Sequence, residues 1–406
     1  MQASNVRLRR WIWLALGLAC VLRLYAIGTE LHQSPDTFQY ARQAEALRTQ
    51  GLSAWREEAA RFVSDSAMLA VPPVTRTVFL GALAGWMKLT HTSGVESVAA
   101  FSCVLDMIAV GLLALLGLEL LGEAAAAPAV LLYAVSPAAL SLARHGWSDT
   151  FGAVFCLLNL LLALRCLRRA DERLPQLALG VSLALTFGVK EAPFAQACIV
   201  FVTLAVLLVR AGRRADALRV TAAFAVALGA VLAWTALAVG GFARIFAMYG
   251  SARDTHAVVP YLVEYQNGTV FDWMHGLWIV DPVVTTLALL GLMLFVVQFR
   301  TLALGLRQGL LLCALVCVIF PVLPTFRHQL YNVRFMTPAF APACVLAAVG
   351  LREVWRRITQ GTASDAPLAV AAMAVLALVS LWHYQTLIAT PDLQDLSLKM
   401  ILTAHN

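Results

Sequence analysis

Apolar runs of about 17 to 25 residues recur along the whole chain, broken by short stretches that hold charges, prolines or both. As helices, runs of that length match the thickness of a bilayer. Eleven candidate spans follow, over residues 11–28, 96–121, 124–142, 149–167, 175–189, 194–210, 218–240, 282–299, 308–323, 336–351 and 367–389. With the N-terminus inside, segments 1–10, 165–175, 210–219, 300–307 and 352–366 share one side and hold 16 Lys and Arg against 5 Asp and Glu. That basic excess marks the side as cytoplasmic. The register requires the stretch from Val74 to Leu89 not to cross. It is short, follows Pro72-Pro73, ends at Lys88 and His91, and fits a helix lying in the outer interface.

The expected fold class is an all-α polytopic membrane protein with about eleven transmembrane helices, a single integral membrane domain over 1–406 with no separate soluble domain. Two outward loops are longer than a connector needs: 29–95, with its interfacial helices, and 241–281, rich in Tyr, Trp, Asp and His.

Composition agrees. Of the 406 residues 61% are hydrophobic and 13% charged, against roughly 25% charged in a soluble domain, and the mean hydropathy is +0.78. A soluble globular domain, a disordered chain, collagen and a coiled coil are excluded. The net charge of +7 comes from small basic groups at the ends of apolar runs, so it reports orientation in a bilayer and not a nucleic-acid partner. All eight cysteines lie in or at the edges of apolar runs and read as small buried side chains. Cys313 and Cys317 share a helix face, but no His or carboxylate joins them, so no metal is expected. Arg7 to Arg10 before Trp11 to Leu22 has the look of a signal peptide. Arg23 interrupts the apolar run and no small-x-small site follows, so an uncleaved first span is expected.

Ionisable groups are costly in a bilayer, and here they gather at the outer ends of the spans: Asp36, Arg76, Arg144, His145, Asp149, Lys190, Glu191, Arg327, His328 and Arg334. All can face one cavity. Near mid-span the clear acid is Asp106, for which a hydrogen-bonded structural role is expected. Asp36 follows Ser34-Pro35 and leads into the helical period of Tyr40, Ala44 and Leu47; a helix cap and a catalytic carboxylate both explain it. Asp149 or Ser148 would cap the next helix, which leaves the preceding Arg144-His145-Gly146-Trp147 cluster unexplained. Lys190-Glu191 before Ala192-Pro193 is either a solvated turn or a functional corner. Arg327-His328 and Tyr331 to Phe335 put arginines on the side that disfavours them, and a lipid phosphate would serve as their partner.

With these residues assembled, the chain resembles the GT-C membrane glycosyltransferases, in particular the branch that uses lipid-phosphate sugars and contains the protein mannosyltransferases and the lipid A aminoarabinose transferases. The resemblance rests on Pro35-Asp36-Thr37-Phe38-Gln39-Tyr40-Ala41 after the first span, on Pro72-Pro73-Val74 through Lys88-Leu89, on Arg144 to Asp149, and on Arg334-Phe335-Met336-Thr337-Pro338. Two positions differ from the family pattern: Thr37 where the family often has Glu, and Val71 where a basic residue or His often stands. The resemblance implies an outward-facing site in the bacterial inner membrane and an undecaprenyl- or dolichyl-phosphate sugar donor, with a glycan, lipid or protein acceptor. It also implies that Asp36 is the base. Asp149 would order it or the acceptor, Arg334, Lys190 and Arg327 would hold the donor phosphate, and Tyr40, Arg144, His145, Glu191, His328 and Tyr331 would line the substrates. A monophosphate leaving group is served by Lys and Arg, so neither a metal nor another cofactor is expected. A transporter or flippase of lipid-linked sugars is the alternative, and a glycan polymer ligase a weaker one; a transporter places polar groups at the midplane, where this chain has little beyond Asp106 and Asn159.

Overall fold

The computed structural model describes residues 2–25, 35–65, 72–169, 172–256, 269–323, 333–358 and 366–388. Among these the chain is helical and has no strand. After α1 (Gln2–Leu24), three helices, α2 (Pro35–Gln50), α3 (Leu52–Ser64) and α4 (Thr77–Thr90), occupy the first of the two expected long loops. Then come α5 (Gly94–Leu121), α6 (Glu123–Val135), α7 (Pro137–Arg144), α8 (Ser148–Arg168), α9 (Arg173–Leu185), α10 (Glu191–Arg210) and α11 (Arg214–Val239). The last third holds α12 (Phe242–His256), α13 (Val270–Val280), α14 (Pro282–Gln298), α15 (Leu304–Val322), α16 (Thr337–Ile358) and α17 (Ala366–His383).

Six of the described helices are long and apolar enough to cross a membrane. Every expected span overlaps a described helix, with two differences in form. The span expected at 124–142 is a pair, α6 and α7, bent by 55°. Pro137 offers no N–H to continue α6 and pushes Ser136 out of the helical region, while the Ser136 side chain accepts from the Ala139 amide and starts α7 afresh. The bend turns α7 toward the 145–149 corner. The span expected at 175–189 is a helix of 13 residues followed by a 3-10 turn over Thr186–Gly188.

Two apolar cores result. The larger is built from α1, α5 to α11 and α13 to α16. Between α14 and α16 the backbones meet directly: a Cβ at Gly291 would overlap the Leu346 carbonyl oxygen, so glycine is required there. The smaller core packs Tyr40, Trp55, Phe79, Leu83 and Met87 of α2 to α4 against Val98 and Phe101 of α5 and Val239 of α11. It fixes α2, and with it Asp36, over one end of the bundle.

Asp106 has the structural role expected of it. Arg23 donates to its carboxylate, Tyr133 donates at 2.8 Å, and Arg23 also donates to the Ala134 carbonyl at 2.7 Å. The charge that interrupts the first apolar run is thus the clasp joining α1 to α5 and α6, and both ions are fully buried. A charge pair of this kind, with its remaining hydrogen bonds filled, is how ionised groups persist inside a bilayer protein.

Candidate active site

Five separate pieces of chain bring their charges to one place. Pro35 opens α2 with the φ that a first turn needs, so Asp36 sits inside the first turn, not at the cap; the helix dipole favours a carboxylate there. The 145–147 corner depends on Gly146, whose φ of 65° a side chain would resist. A Cβ there would also stand 3.1 Å from Thr37 and from Val98, so α2 and α5 close on it. Trp147 precedes α8, placing Asp149 in its first turn; neither Ser148 nor Asp149 caps the helix. Lys190 is extended (φ −171°, ψ 159°) between the 3-10 turn and α10, and its side chain reaches Asp149 at the start of α8. Arg334 lies in a 3-10 turn, Val333–Met336, that opens α16, and Arg76 directly precedes α4.

Three ion pairs form there, and they differ in openness. Arg334 Nη2 donates to Asp36 Oδ2 at 2.8 Å, with both side chains partly exposed (14% and 19%). Lys190 Nζ donates to both oxygens of Asp149 at 2.6 and 2.7 Å, sealed at 2% exposure each. Arg76 Nη2 lies 3.3 Å from Glu191 Oε2; Arg76 is buried while Glu191 is half exposed. Aromatic rings fix the cations: the Arg334 guanidinium stands 4.6 Å over the Trp147 ring, and Lys190 Nζ 4.7 Å over that of Phe335. Arg76 Nη1 donates to Tyr40 Oη, which is 3.0 Å from Ser148 Oγ. The Nε groups of Arg76 and Arg334 are buried and have no partner.

The electrostatics follow from this crowding. Burial pushes the Asp36 carboxyl up, but Arg334, Arg76 and Lys190 outweigh it and hold it below the ordinary carboxylate range. For Lys190, burial wins over the attraction of Asp149 and, with Arg334 and Arg76 nearby, brings its pKa down to about 8. Tyr40 is pushed up to about 12, first by burial, and stays a neutral hydroxyl.

The structure therefore brings Asp36, Tyr40, Asp149, Lys190, Glu191 and Arg334 together, along with Arg76, which sequence reasoning placed among the outer charges without a role. Its signal was a lone Arg at the mouth of an apolar helix. His145 joins through its ring, stacked on Trp147 at 4.4 Å, while its Nδ1 donates to the Ser141 carbonyl at 2.6 Å. A carbonyl only accepts, which sets that tautomer. Arg144 goes elsewhere: it donates to Tyr384 Oη at 3.0 Å and to the carbonyls of Leu22 and Tyr25, tying α7 to α1 and the chain after α17. Arg327, His328 and Tyr331 lie outside the described residues. Among the described residues no three His, Cys, Asp or Glu side chains come together to hold a metal.

Beyond Arg334 an apolar groove of about 220 Å³ runs between α13, α14, α15 and α16, lined by Met274, Leu277, Leu289, Val318, Phe340 and Leu346 among others. Its α16 wall begins at Ala339, five residues after Arg334.

A partly open carboxylate in a cationic cluster, with an apolar groove that starts five residues along from Arg334, suits chemistry on a lipid phosphate, and known proteins bear on this. Residues 77–238 match the family model for dolichyl-phosphate-mannose-protein mannosyltransferases. The fold is similar to that of the Archaeoglobus fulgidus oligosaccharyltransferase, at 14% identity and a TM-score of 0.63, over 96% of this chain and 56% of the other. This chain thus spans little more than half of that enzyme. That oligosaccharyltransferase is also known in complex with an inhibitory peptide and a dolichol-phosphate, with 12% identity, a TM-score of 0.54, and coverage of 97% of this chain and 56% of that one. ArnT from Cupriavidus metallidurans bound to undecaprenyl phosphate is similar at 13% identity and a TM-score of 0.63, over 97% of this chain and 77% of ArnT. A search of curated protein sequences found no match. The chain has the GT-C fold of membrane glycosyltransferases, as the resemblance in its sequence implies.

Proposed function

We propose that this protein is an inverting glycosyltransferase that moves a sugar from a polyprenyl-phosphate donor to an acceptor hydroxyl at the outer, periplasmic face of the bacterial inner membrane. The observation that carries the reading is Asp36, a partly open carboxylate paired to the most open of three clustered cations, beside the sealed Lys190–Asp149 pair. Six helices able to span a bilayer, the GT-C fold and the apolar groove beside Arg334 support it.

The resting site is balanced, three cations against three carboxylates. A donor phosphate entering it competes with Asp36 for Arg334, whose Nε is also free to donate. As the guanidinium turns to the phosphate, Asp36 loses the contact that holds it a weak base. The released carboxylate takes the proton of the acceptor hydroxyl while that oxygen attacks the sugar C1; the polyprenyl phosphate leaves from the opposite face, which inverts the anomeric centre. Arg334, Arg76 and Lys190 stabilise the charge that grows on the leaving phosphate. Asp149 acts through Lys190, keeping it charged despite its burial. The groove takes the first isoprene units of the donor.

The test is thermal stability of the purified protein with polyprenyl phosphate and a panel of polyprenyl-phosphate sugars, for wild type and Arg334→Ala. One sugar-lipid is expected to raise the midpoint selectively, since a ligand bound only by the folded state at about 100 times its Kd adds about 2.7 kcal/mol. The shift is expected to vanish in Arg334→Ala. No shift with any lipid phosphate would overturn the reading; a shift without any sugar transfer to an acceptor would favour a transporter of lipid-linked sugars.

The Lys190 value sets a pH dependence. Its charge is present below about 8 and lost above, so kcat/KM, which reports the free enzyme, is expected to fall on the alkaline side near that pH. In the complex the bound phosphate keeps Lys190 protonated, so kcat holds to higher pH. Lys190→Arg moves the alkaline limb of kcat/KM upward. An unmoved limb would assign it to another group.

A further inference from the structure

The far end of the bundle holds a second feature that the transfer reaction does not use. From Arg334 to Arg352 is 18 residues, about 27 Å at 1.5 Å per residue, so the end of α16 lies close to one bilayer core thickness from Asp36. There a crevice of about 420 Å³ opens between the ends of α5, α14 and α16 and the start of α15. Leu294, Leu302 and Leu306 form an apolar wall, and Arg352 and Arg356 stand at its rim.

The charges at the rim are not equivalent. Both oxygens of Glu353 are taken, by Arg356 at 2.8 and 2.9 Å and by Arg357 at 3.0 Å. Arg352 is exposed, and among the described residues nothing pairs with it. A shallower recess that shares Phe295 presents a second exposed arginine, Arg300. Opposite, the N-cap of α15, Ala303, supplies no side-chain cap, so the positive end of that helix's dipole faces the same end of the bundle. Free donors and positive charge above an apolar wall, at the depth where lipid headgroups lie, complement one kind of ligand.

We propose that this crevice binds an anionic diacyl phospholipid, with the phosphate on Arg352 and the acyl chains along Leu294, Leu302 and Leu306. The ligand is a bilayer component and not the donor: it sits at the opposite end from Asp36 and is independent of the transfer reading. By pinning α15 and α16 together at this end, it steadies the helix that carries Arg334 at the other.

The experiment compares thermal midpoints of the full chain in detergent with phosphatidylglycerol, with phosphatidylcholine of the same acyl chains, and with inorganic phosphate. Native mass spectrometry counts the lipid retained. Phosphatidylglycerol is expected to stabilise beyond phosphatidylcholine, and Arg352→Gln is expected to bind it at least about tenfold more weakly, the loss of a hydrogen bond to a charged group. Arg352 is exposed, so the variant folds; Arg352→Lys keeps part of the effect. Arg334→Ala keeps all of it, which separates this site from the donor site. Equal shifts with the two lipids, a full shift with inorganic phosphate alone, or an undiminished shift in Arg352→Gln would overturn the proposal.

Discussion

Asp36→Asn is expected to lower sugar transfer by about 10² to 10⁴-fold, the usual contribution of a positioned general base, while the protein still folds and still binds its donor lipid. The change keeps the side chain's size and a hydrogen-bonding oxygen, and the loss of a first-turn carboxylate's interaction with the helix dipole costs only about 0.3 to 1 kcal/mol. A helix-start function would therefore survive the substitution. Arg334 would also be freed of its partner, so affinity for polyprenyl phosphate should be equal to or higher than that of wild type. The measurement is single-turnover transfer with a radiolabelled donor, beside the thermal shift with polyprenyl phosphate. Transfer within threefold of wild type would remove Asp36 from the chemistry; loss of donor binding together with transfer would make it a binding residue.

That test is needed because the sequence leaves Asp36 ambiguous in a way the structure resolves only locally. Reading Ser34-Pro35-Asp36, a cap at Asp36 and a carboxylate held for chemistry look alike. The helix starting at Pro35 moves Asp36 past the capping position, and its contact is Arg334, 298 positions away in the chain. Hydropathy made the helices and their order legible, because a bilayer demands long apolar runs and tolerates charges chiefly at their ends. The same constraint made the candidate site legible as a region, since charges collect at the ends of spans. Pairing was not legible. Lys190 looks like a cation open to direct phosphate contact until its Nζ is seen between both oxygens of Asp149, and Arg144, adjacent to the site in sequence, points to Tyr384. Direction depends on which side of a 3-10 turn or a bent helix a residue leaves from, and the Ser136-Pro137 bend that aims α7 is a tertiary fact with a local trigger. Arg76 was visible as a charge but not as a site member, since what places it there is the packing of Phe79 and Leu83 onto α2.

Lys190→Ala is expected to destabilise the protein by about 3 to 5 kcal/mol, because it strands Asp149 as a buried charge without a partner. Lost activity in that variant would say little, since misfolding accounts for it. The informative variant removes both charges: in Asp149→Leu with Lys190→Met, two apolar side chains of similar volume replace the pair, which for buried ion pairs is commonly neutral or stabilising. The double variant should recover a midpoint near that of wild type, read by thermal unfolding in detergent. If Lys190 adds to the field that stabilises the leaving phosphate, transfer remains at least about tenfold below wild type, since a single preorganised donor is worth about 10² to 10³ when it faces developing charge directly and less when it acts past Arg334. Full recovery of transfer along with stability would make the Lys190–Asp149 pair a structural clasp between α8 and α10, equivalent to the Arg23–Asp106 pair deeper in the bundle, and leave the phosphate to Arg334 and Arg76. The openness of the three pairs argues for the first result: a sealed pair 4.7 Å above Phe335, the residue next to Arg334, is close enough to be felt at the site and too enclosed to be displaced from it.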